Sequence, residues 1–430
     1  MTERGGVLRQ SRMPLAGSVL TGLVGQAVLI VSGVLAARIL GVQDRGYLAL
    51  LILFPAVLAQ IGSLGLPLAA TFELSRDRSR WAEVIRTLLR PMVLQDVSLV
   101  LLHAGILLAV FWSDPHAVKV SALLSLAAVP AILGQSYGTA ILQGQQRFLA
   151  FNVLRALPAT SYAVAVLAIF VVGGGNLEWV VVGWIVASLV SAAVTLFVAF
   201  RAVRLRHAHR SPERLRSMLS FGIKGLLGWT SPVETFRLDQ AVVGLFLTPA
   251  ALGLYVVGLA FANLPRFIAQ SVGYIAYPRI AGRRGDEAWK ELWQFFWLAS
   301  GAAALVVLAL ELSVAWLVPV FFGDEFSGAV PLTRILLIGA LFLSARRVLT
   351  DGAQGLGRPG LGTIAEVSSW VFLLPALGIF TPLWNARGVA LALTVSAALS
   401  FVVLLVLLVR SRTASSDPAG AQALRIERAG

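Results

Sequence analysis

Long apolar runs, separated by short charged or Gly/Pro-rich loops, fill almost the whole chain. A membrane-spanning helix needs about 20 apolar residues, and this spacing predicts about twelve such segments. They are centred near residues 26, 57, 101, 130, 164, 189, 232, 264, 306, 340, 371 and 399. We expect an all-α polytopic membrane protein with no room for a separate soluble domain.

The composition agrees with a chain that lies mostly in lipid. Of 430 residues, 58% are hydrophobic and 13% are charged, and the mean hydropathy is +0.83, whereas soluble domains carry about 25% charged residues. Cysteine is absent, so disulfides and thiol chemistry are not expected. The first apolar run lacks a small-residue cleavage site, which favours a retained helix over a signal peptide.

The net charge of +14 is unevenly distributed over the loops. If the N-terminus is cytoplasmic, 27 Lys and Arg fall in cytoplasmic loops and 5 on the opposite side. This split follows the positive-inside rule and predicts an even number of helices with both termini in the cytoplasm. The basic balance therefore indicates topology, with membrane lipids rather than nucleic acid as the expected partner.

A long polar loop near mid-chain separates six segments from six. The predicted divisions are an N-terminal lobe at 1–205, a basic cytoplasmic loop at 206–217, a C-terminal lobe at 218–412 and a disordered cytoplasmic tail at 413–430. Because each half has an even number of helices, the halves would share one orientation and be related by a pseudo-twofold axis along the membrane normal.

Weak internal similarity supports a duplication. The pattern Q-G-x-x-R recurs after 211 residues, and a second set of residues recurs after 208. The matched positions are Gln143, Gly144 and Arg147 with Gln354, Gly355 and Arg358, and Tyr47, Trp81 and Glu83 with Tyr255, Trp289 and Glu291.

The seventh segment carries polar residues at helical spacing. Lys224, Gly228, Ser231, Thr235 and Asp239 are four, three, four and four residues apart, which predicts one shared helix face. Glu234 and Arg237 lie in the same segment. A charge at mid-membrane costs about 2.5–3.5 kcal/mol on insertion scales and persists where it faces protein or a wet cavity. The stripe therefore indicates a lumen that handles a polar substance, as in a transporter.

The eighth segment continues this pattern, because Asn263, Arg266, Gln270 and Tyr274 also share one predicted face. If the two segments form a hairpin, their polar faces would converge. Lys224, Arg237 and Arg266 would then offer three cations, partly offset by Glu234 and Asp239. The alternative is that Glu234, Arg237 and Asp239 form local salt bridges that only neutralise one another.

Other intramembrane ionisable residues admit more than one interpretation. Asp96 and His103 lie seven residues apart on the third segment and are candidates for ion or proton coupling. The alternatives are a satisfied buried pair, or an Asp close enough to the interface to reach water. Glu311 and Glu366 are lone intramembrane carboxylates with the same alternatives. The four histidines do not suggest a metal site, no Walker A motif is present, and we expect no cofactor. The predicted outer loops are too short for a membrane glycosyltransferase or polymerase.

Four stretches carry a family resemblance. They are ARILGVQDRGYLALL, LDQAVVGLFLTPAALGLYVVGLAFANLPRFIAQSVGYIAYPRIA, FFGDEFSGAVPLTRILL and DGAQGLGRP. With them the chain resembles, over essentially its whole length, polysaccharide-export flippases of the multidrug/oligosaccharidyl-lipid/polysaccharide (MOP) exporter superfamily. The resemblance implies two six-helix lobes around a central cavity, with Lys224, Arg237 and Arg266 holding a diphosphate and sugars.

The resemblance also implies the expected activity, which is that of a non-enzymatic flippase in the bacterial cytoplasmic membrane. Its cargo would be a polyprenyl-diphosphate-linked oligosaccharide, and other polysaccharide-assembly proteins are possible partners. The peptidoglycan-precursor branch typically has two further helices, for which this chain has no room. The alternatives are a cation-coupled drug or metabolite antiporter on the same fold, and a membrane-embedded polymerase or assembly scaffold.

Overall fold

The structure is a computed structural model of the chain. It describes the backbone of residues 3–201, 203, 209–228, 231–233, 235–283 and 285–416, and side chains from residue 27 to 412 within those ranges except at 227, 228, 274 and 278. The described residues form helices and connecting loops, without a strand.

Thirteen α-helices follow one another in the described part of the chain. They are α1 (Glu3–Gly62), α2 (Leu66–Arg76), α3 (Trp81–Phe111), α4 (His116–Ser125), α5 (Ala128–Gly144), α6 (Phe148–Val172), α7 (Leu177–Phe200), α8 (Pro212–Gly228), α9 (Leu238–Phe246), α10 (Pro249–Ala281), α11 (Asp286–Phe322), α12 (Ala329–Gly355) and α13 (Pro359–Ser416). Short 3₁₀ turns precede α3 and α12.

Two of these helices are each a pair of crossings joined at one non-helical residue. Gly41 in α1 has φ 68°, and Asn385 in α13 has φ 51°, and a positive φ is a backbone conformation that glycine adopts at little cost. Nine described stretches are long and apolar enough to cross a membrane. Two of them, α1 and α13, each divide into two crossings at these bends, and α8 with α9 forms one more. The described residues therefore contain twelve crossings, which confirms the predicted number.

Contacts divide the chain into two compact units. The first comprises Met1–Thr230 and Thr235–Gly253, and the second comprises Ser231–Glu234 and Leu254–Gly430. By contacts, α8 and α9 therefore belong with the first unit, although the sequence assigns them to the second half. As a boundary between the two repeats, the predicted loop at 206–217 stays a prediction. Most of the predicted tail, from residue 417 on, lies outside the described residues.

Each unit has its own apolar core, and the two cores repeat an aromatic contact. In the first, the rings of Phe54 and Phe111 lie 6.2 Å apart. In the second, those of Phe261 and Phe322 lie 5.8 Å apart. The partners are related by 207 and 211 residues, close to the offsets found in the sequence. The duplication therefore extends from sequence to packing.

The Q-G-x-x-R motifs have a structural role that the two halves share. Arg147 donates from Nη1 to the carbonyl oxygen of Val198 at 2.8 Å, and Arg358 donates from Nη1 to that of Ser411 at 2.6 Å. Val198 lies in the last turn of α7, where carbonyls have no partner within the helix, whereas Ser411 lies five residues before the end of α13. Each arginine therefore binds a carbonyl near the C-terminal end of the final crossing of its own half.

Candidate functional site

The seventh crossing is interrupted where the sequence predicts a continuous polar stripe. α8 ends at Gly228 and α9 begins at Leu238, and the described residues between them are not helical. Pro232 lacks a backbone N–H and disfavours helical geometry at Ser231. The prediction of one helix face from Lys224 to Asp239 is therefore wrong, and a cavity-lining role for these residues stays a prediction.

The interruption places charge at the start of α9. Arg237 precedes the helix in a left-handed conformation, with φ 47° and ψ 44°. Asp239 lies in the first turn with 1% of its surface exposed, and the two charges attract one another. Ser231 is buried and Thr235 is partly buried, while Glu234 lies outside the described residues. Arg237 and Asp239 thus lie close together in the chain at the N-terminus of a helix, and a salt bridge between them stays a prediction.

The other half of this crossing, α8, packs closely on α2 within the first unit. Gly222 and Gly65 form the closest approach, since a Cβ on Gly222 would lie 2.6 Å from the carbonyl oxygen of Leu64. The rings of Phe72 and Phe221 stack at 4.6 Å. Small residues permit such backbone contact between membrane helices.

Arg214 forms salt bridges that link the start of α8 to α2 and α3. Arg214 contacts Glu73 at 3.0 Å through Nη1 and Glu83 at 3.0 Å through Nε. The backbone N–H of Ser211 donates to Thr87 Oγ1 at 3.1 Å. Lys224, ten residues further along α8, is exposed. α8 is therefore anchored at its beginning and presents its lysine on an open surface.

The residues predicted on the eighth crossing lie on α10 in the second unit. Arg266 donates from Nη1 to Asn263 Oδ1 at 3.0 Å, and all three of Asn263, Arg266 and Gln270 are partly buried. The side chain of Tyr274 lies outside the described residues. Because the amide is neutral, this contact orients the guanidinium without cancelling its charge. Convergence of these residues with Lys224 and Arg237 stays a prediction.

Asp96 and His103 lie on α3 without hydrogen bonds to the rest of the described structure. His103 is fully buried, and neither ring nitrogen has a partner there; the same holds for Asp96 Oδ1. Seven residues of helix correspond to about 10.5 Å along the axis, so the two do not bond directly. Beside Asp96, Tyr137 donates to Gln95 Oε1 at 2.6 Å. Asp96 and His103 therefore do not form the satisfied buried pair that was one of the interpretations of the sequence.

The sequence matches the model of a known protein family. Residues 17–284 match the model of the family described as "Polysaccharide biosynthesis protein". The chain belongs to this family. An uncharacterized membrane protein of Methanocaldococcus jannaschii is 24% identical over 187 residues, which are 39% of this chain and 36% of that protein. The chain thus aligns with about a third of that relative's length.

Solved structures identify the fold. The lipid II flippase MurJ in an inward closed conformation matches with a TM-score of 0.74 at 13% identity, over 91% of this chain and 87% of MurJ. An inward-facing multidrug resistance MATE family transporter of the MOP superfamily matches with 0.67 at 16%, over 91% and 96%. The eukaryotic MATE transporter AtDTX14 matches with 0.63 at 16%, over 98% of each chain. The family member described here is therefore a multi-pass membrane protein with the fold of the MurJ and MATE structures.

Arg346 is one of the 27 Lys and Arg that the charge pattern assigns to cytoplasmic loops, and its ion pair with Glu366 was not predicted. The structure places Arg346 inside α12 with 8% of its surface exposed. Its Nη2 lies 3.2 Å from Glu366 Oε2, and Nη1 donates to Ser400 Oγ at 3.3 Å. The signal was available, because the Q-G-x-x-R motif marks the helix end at Gly355, nine residues later.

The carboxylates interpreted as lone intramembrane groups therefore have cationic partners. Glu366 pairs with Arg346, and Glu311 lies 3.8 Å from Arg334. Arg347, next in the chain and also counted in the loop, pairs with Asp351 one turn along α12 at 3.1 Å. The second unit thus neutralises several of its intramembrane charges internally.

Proposed function

We propose that this protein is a flippase that moves a polyprenyl-diphosphate-linked oligosaccharide across the bacterial cytoplasmic membrane by alternating access, with both termini in the cytoplasm. The observation that carries the proposal is the interrupted seventh crossing. Transporter sites are typically formed by discontinuous helices whose half-helix N-termini, with their positive dipole ends, face anionic substrate groups. Here α9 is a half-helix that begins at Leu238, and Arg237 at its N-terminus adds a guanidinium.

The physical task fits these residues. A diphosphate with attached sugars does not cross about 30 Å of hydrocarbon unaided, and a cationic path replaces its hydration. Arginine forks match phosphate oxygens in bidentate fashion, while lysine acts as a point charge. Arg237, Arg266 and Lys224 supply these groups. Asp239 beside Arg237 moderates anion affinity, which release on the far side requires.

The family and the fold support this substrate class. The family is named for polysaccharide biosynthesis, and MurJ, whose fold matches, is named a flippase of a lipid-linked molecule. No catalytic role is needed, since the proposed reaction changes only the side of the membrane on which the cargo lies.

The test is complementation of a deletion strain, with extraction of lipid-linked saccharides. We expect deletion to accumulate a polyprenyl-diphosphate oligosaccharide and to abolish surface polysaccharide. Lys224→Ala and Arg266→Ala should fail to restore export, while Arg266→Lys should restore part of it. Arg279→Ala, an exposed arginine further along α10, is the matched control. Normal export by both Lys224→Ala and Arg266→Ala, at wild-type protein levels, would contradict the assignment.

A cation-coupled antiporter is the second candidate, and Asp96 is the observation that favours it. A buried carboxylate oxygen without a partner in the described structure suits a group that binds and releases a cation during transport. An unchanged saccharide pool in the deletion strain, combined with increased drug sensitivity, would support this candidate against the first.

A further inference from the structure

An apolar groove lies at the start of α13, on the side of the membrane that the arginine count assigns to the cytoplasm. It has a volume of about 520 Å³ and is lined by Arg358, Gly360, Leu361, Thr363 and Ile364. Arg358 is its only charged lining residue. The groove therefore combines one cationic end with a body that offers mainly hydrocarbon contacts.

Two arginines lie on one tryptophan beside this groove. The guanidinium carbons of Arg358 and Arg412 are each 5.9 Å from the ring centroid of Trp289. Trp289 is 7% exposed and belongs to the apolar core of the second unit. The side chain of Arg412 is half exposed, with the exposed Asp286 at 3.7 Å. Cation–π contact with one ring holds both guanidinium groups near the groove.

We propose that this end of the second unit binds an anionic phospholipid. The phosphate of the headgroup would lie against Arg358 and Arg412, and an acyl chain would lie along Leu361 and Ile364. Charge complementarity supports this occupant, because the leaflet facing the cytoplasm is rich in anionic headgroups. Arginine also prefers phosphate in bidentate geometry. This inference does not depend on which substrate the protein moves.

The experiment uses the purified full-length protein in detergent and counts bound lipid by native mass spectrometry. Phosphatidylglycerol should be retained in preference to phosphatidylcholine. Arg412→Ala should weaken phosphatidylglycerol binding about fivefold, the contribution typical of one basic residue near a membrane surface. Thr363→Trp, which fills the groove without removing a charge, should weaken it as well. Asp286→Asn should strengthen binding, since it removes the competing carboxylate.

Arg410→Ala is the matched control, because it removes the same charge two residues from Arg412 without removing the contact to Trp289. Arg358→Lys is preferred to Arg358→Ala, since Arg358 also donates to the carbonyl oxygen of Ser411. Equal retention of both phospholipids would overturn the proposal, as would an Arg410→Ala effect as large as that of Arg412→Ala. Displacement of phosphatidylglycerol by equimolar polyprenyl phosphate would assign the groove to a carrier lipid instead, and would also overturn it.

Discussion

Two sites of intramembrane ionisable side chains, one in each unit, differ in whether the side chains are paired. In the second, Arg346 of α12 pairs with Glu366 of α13 at 3.2 Å and donates to Ser400. In the first, His103 and Asp96 Oδ1 on α3 have no hydrogen-bond partner in the described structure.

This difference distinguishes charges that stabilise the fold from charges that are candidates for a role in transport. The Arg346 ion pair and its hydrogen bond link three crossings and stabilise one arrangement of them, although Glu366 Oε1 has no hydrogen-bond partner in the described structure. An unpartnered buried group costs free energy, and such groups in native structures call for an explanation beyond packing. We therefore expect loss of stability from changes in the Arg346 pair, and loss of activity from changes at Asp96.

The largest expected effect is on stability, from breaking the Arg346 pair. Arg346→Ala leaves the partly buried Glu366 without its cation, and the lower end of the about 3–5 kcal/mol range for fully buried pairs applies to it. The free energy of unfolding, measured by denaturant titration in detergent, should fall by about 3 kcal/mol. The double variant Arg346→Met/Glu366→Leu should recover most of this loss, because apolar replacement removes the unpaired charge as well. A single variant as stable as wild type would show that the pair is not structural.

Asp96→Asn should give the opposite result. The side chain keeps its size and loses a charge that has no hydrogen-bonded partner at Oδ1, so the free energy of unfolding should change by less than about 1 kcal/mol. If Asp96 takes part in coupling, the transport rate should fall at least about tenfold, corresponding to about 1.4 kcal/mol in the barrier. Transport into proteoliposomes and denaturant titration on the same preparation measure the two effects.

Glu213→Gln, an exposed carboxylate on α8 in the same unit, controls for the loss of one negative charge. Wild-type transport by Asp96→Asn would remove the distinction between the units. A loss of several kcal/mol in stability would do the same, because it would make Asp96 a structural residue like Arg346.

The twelve crossings could be predicted from the sequence because apolar length alone decides which segments enter lipid. The interruption at Pro232 could not. Membrane helices tolerate proline, since neighbouring groups satisfy the freed backbone, so the residue permits either a bend or a break. The close approach of Gly222 to Gly65 decides where α8 packs, and a contact between residues so distant in sequence leaves no local pattern.

Arg346 shows a different limit. A charged residue near the end of an apolar run is normally assigned to the loop, and only the repeat could have placed it inside the helix. Its partner Glu366 lies 20 residues away on another crossing, so periodicity within one helix does not reveal the pair. The candidate site has the same limitation, because the spacing predicted the polar residues of α10 but not their relation to α8 and α9.

The smallest expected effects test whether the two Q-G-x-x-R arginines act alike. Arg147→Ala and Arg358→Ala each remove a hydrogen bond from a charged donor to a carbonyl near a helix end, and each should lower the free energy of unfolding by about 1.5 kcal/mol. Arg358→Ala should cost about 0.5 kcal/mol more, because it also removes a contact with Trp289. Denaturant titration measures both, with exposed Arg201→Ala as the control. A clear loss for one variant and none for the other would mean that the two halves keep the motif but no longer share its structural role.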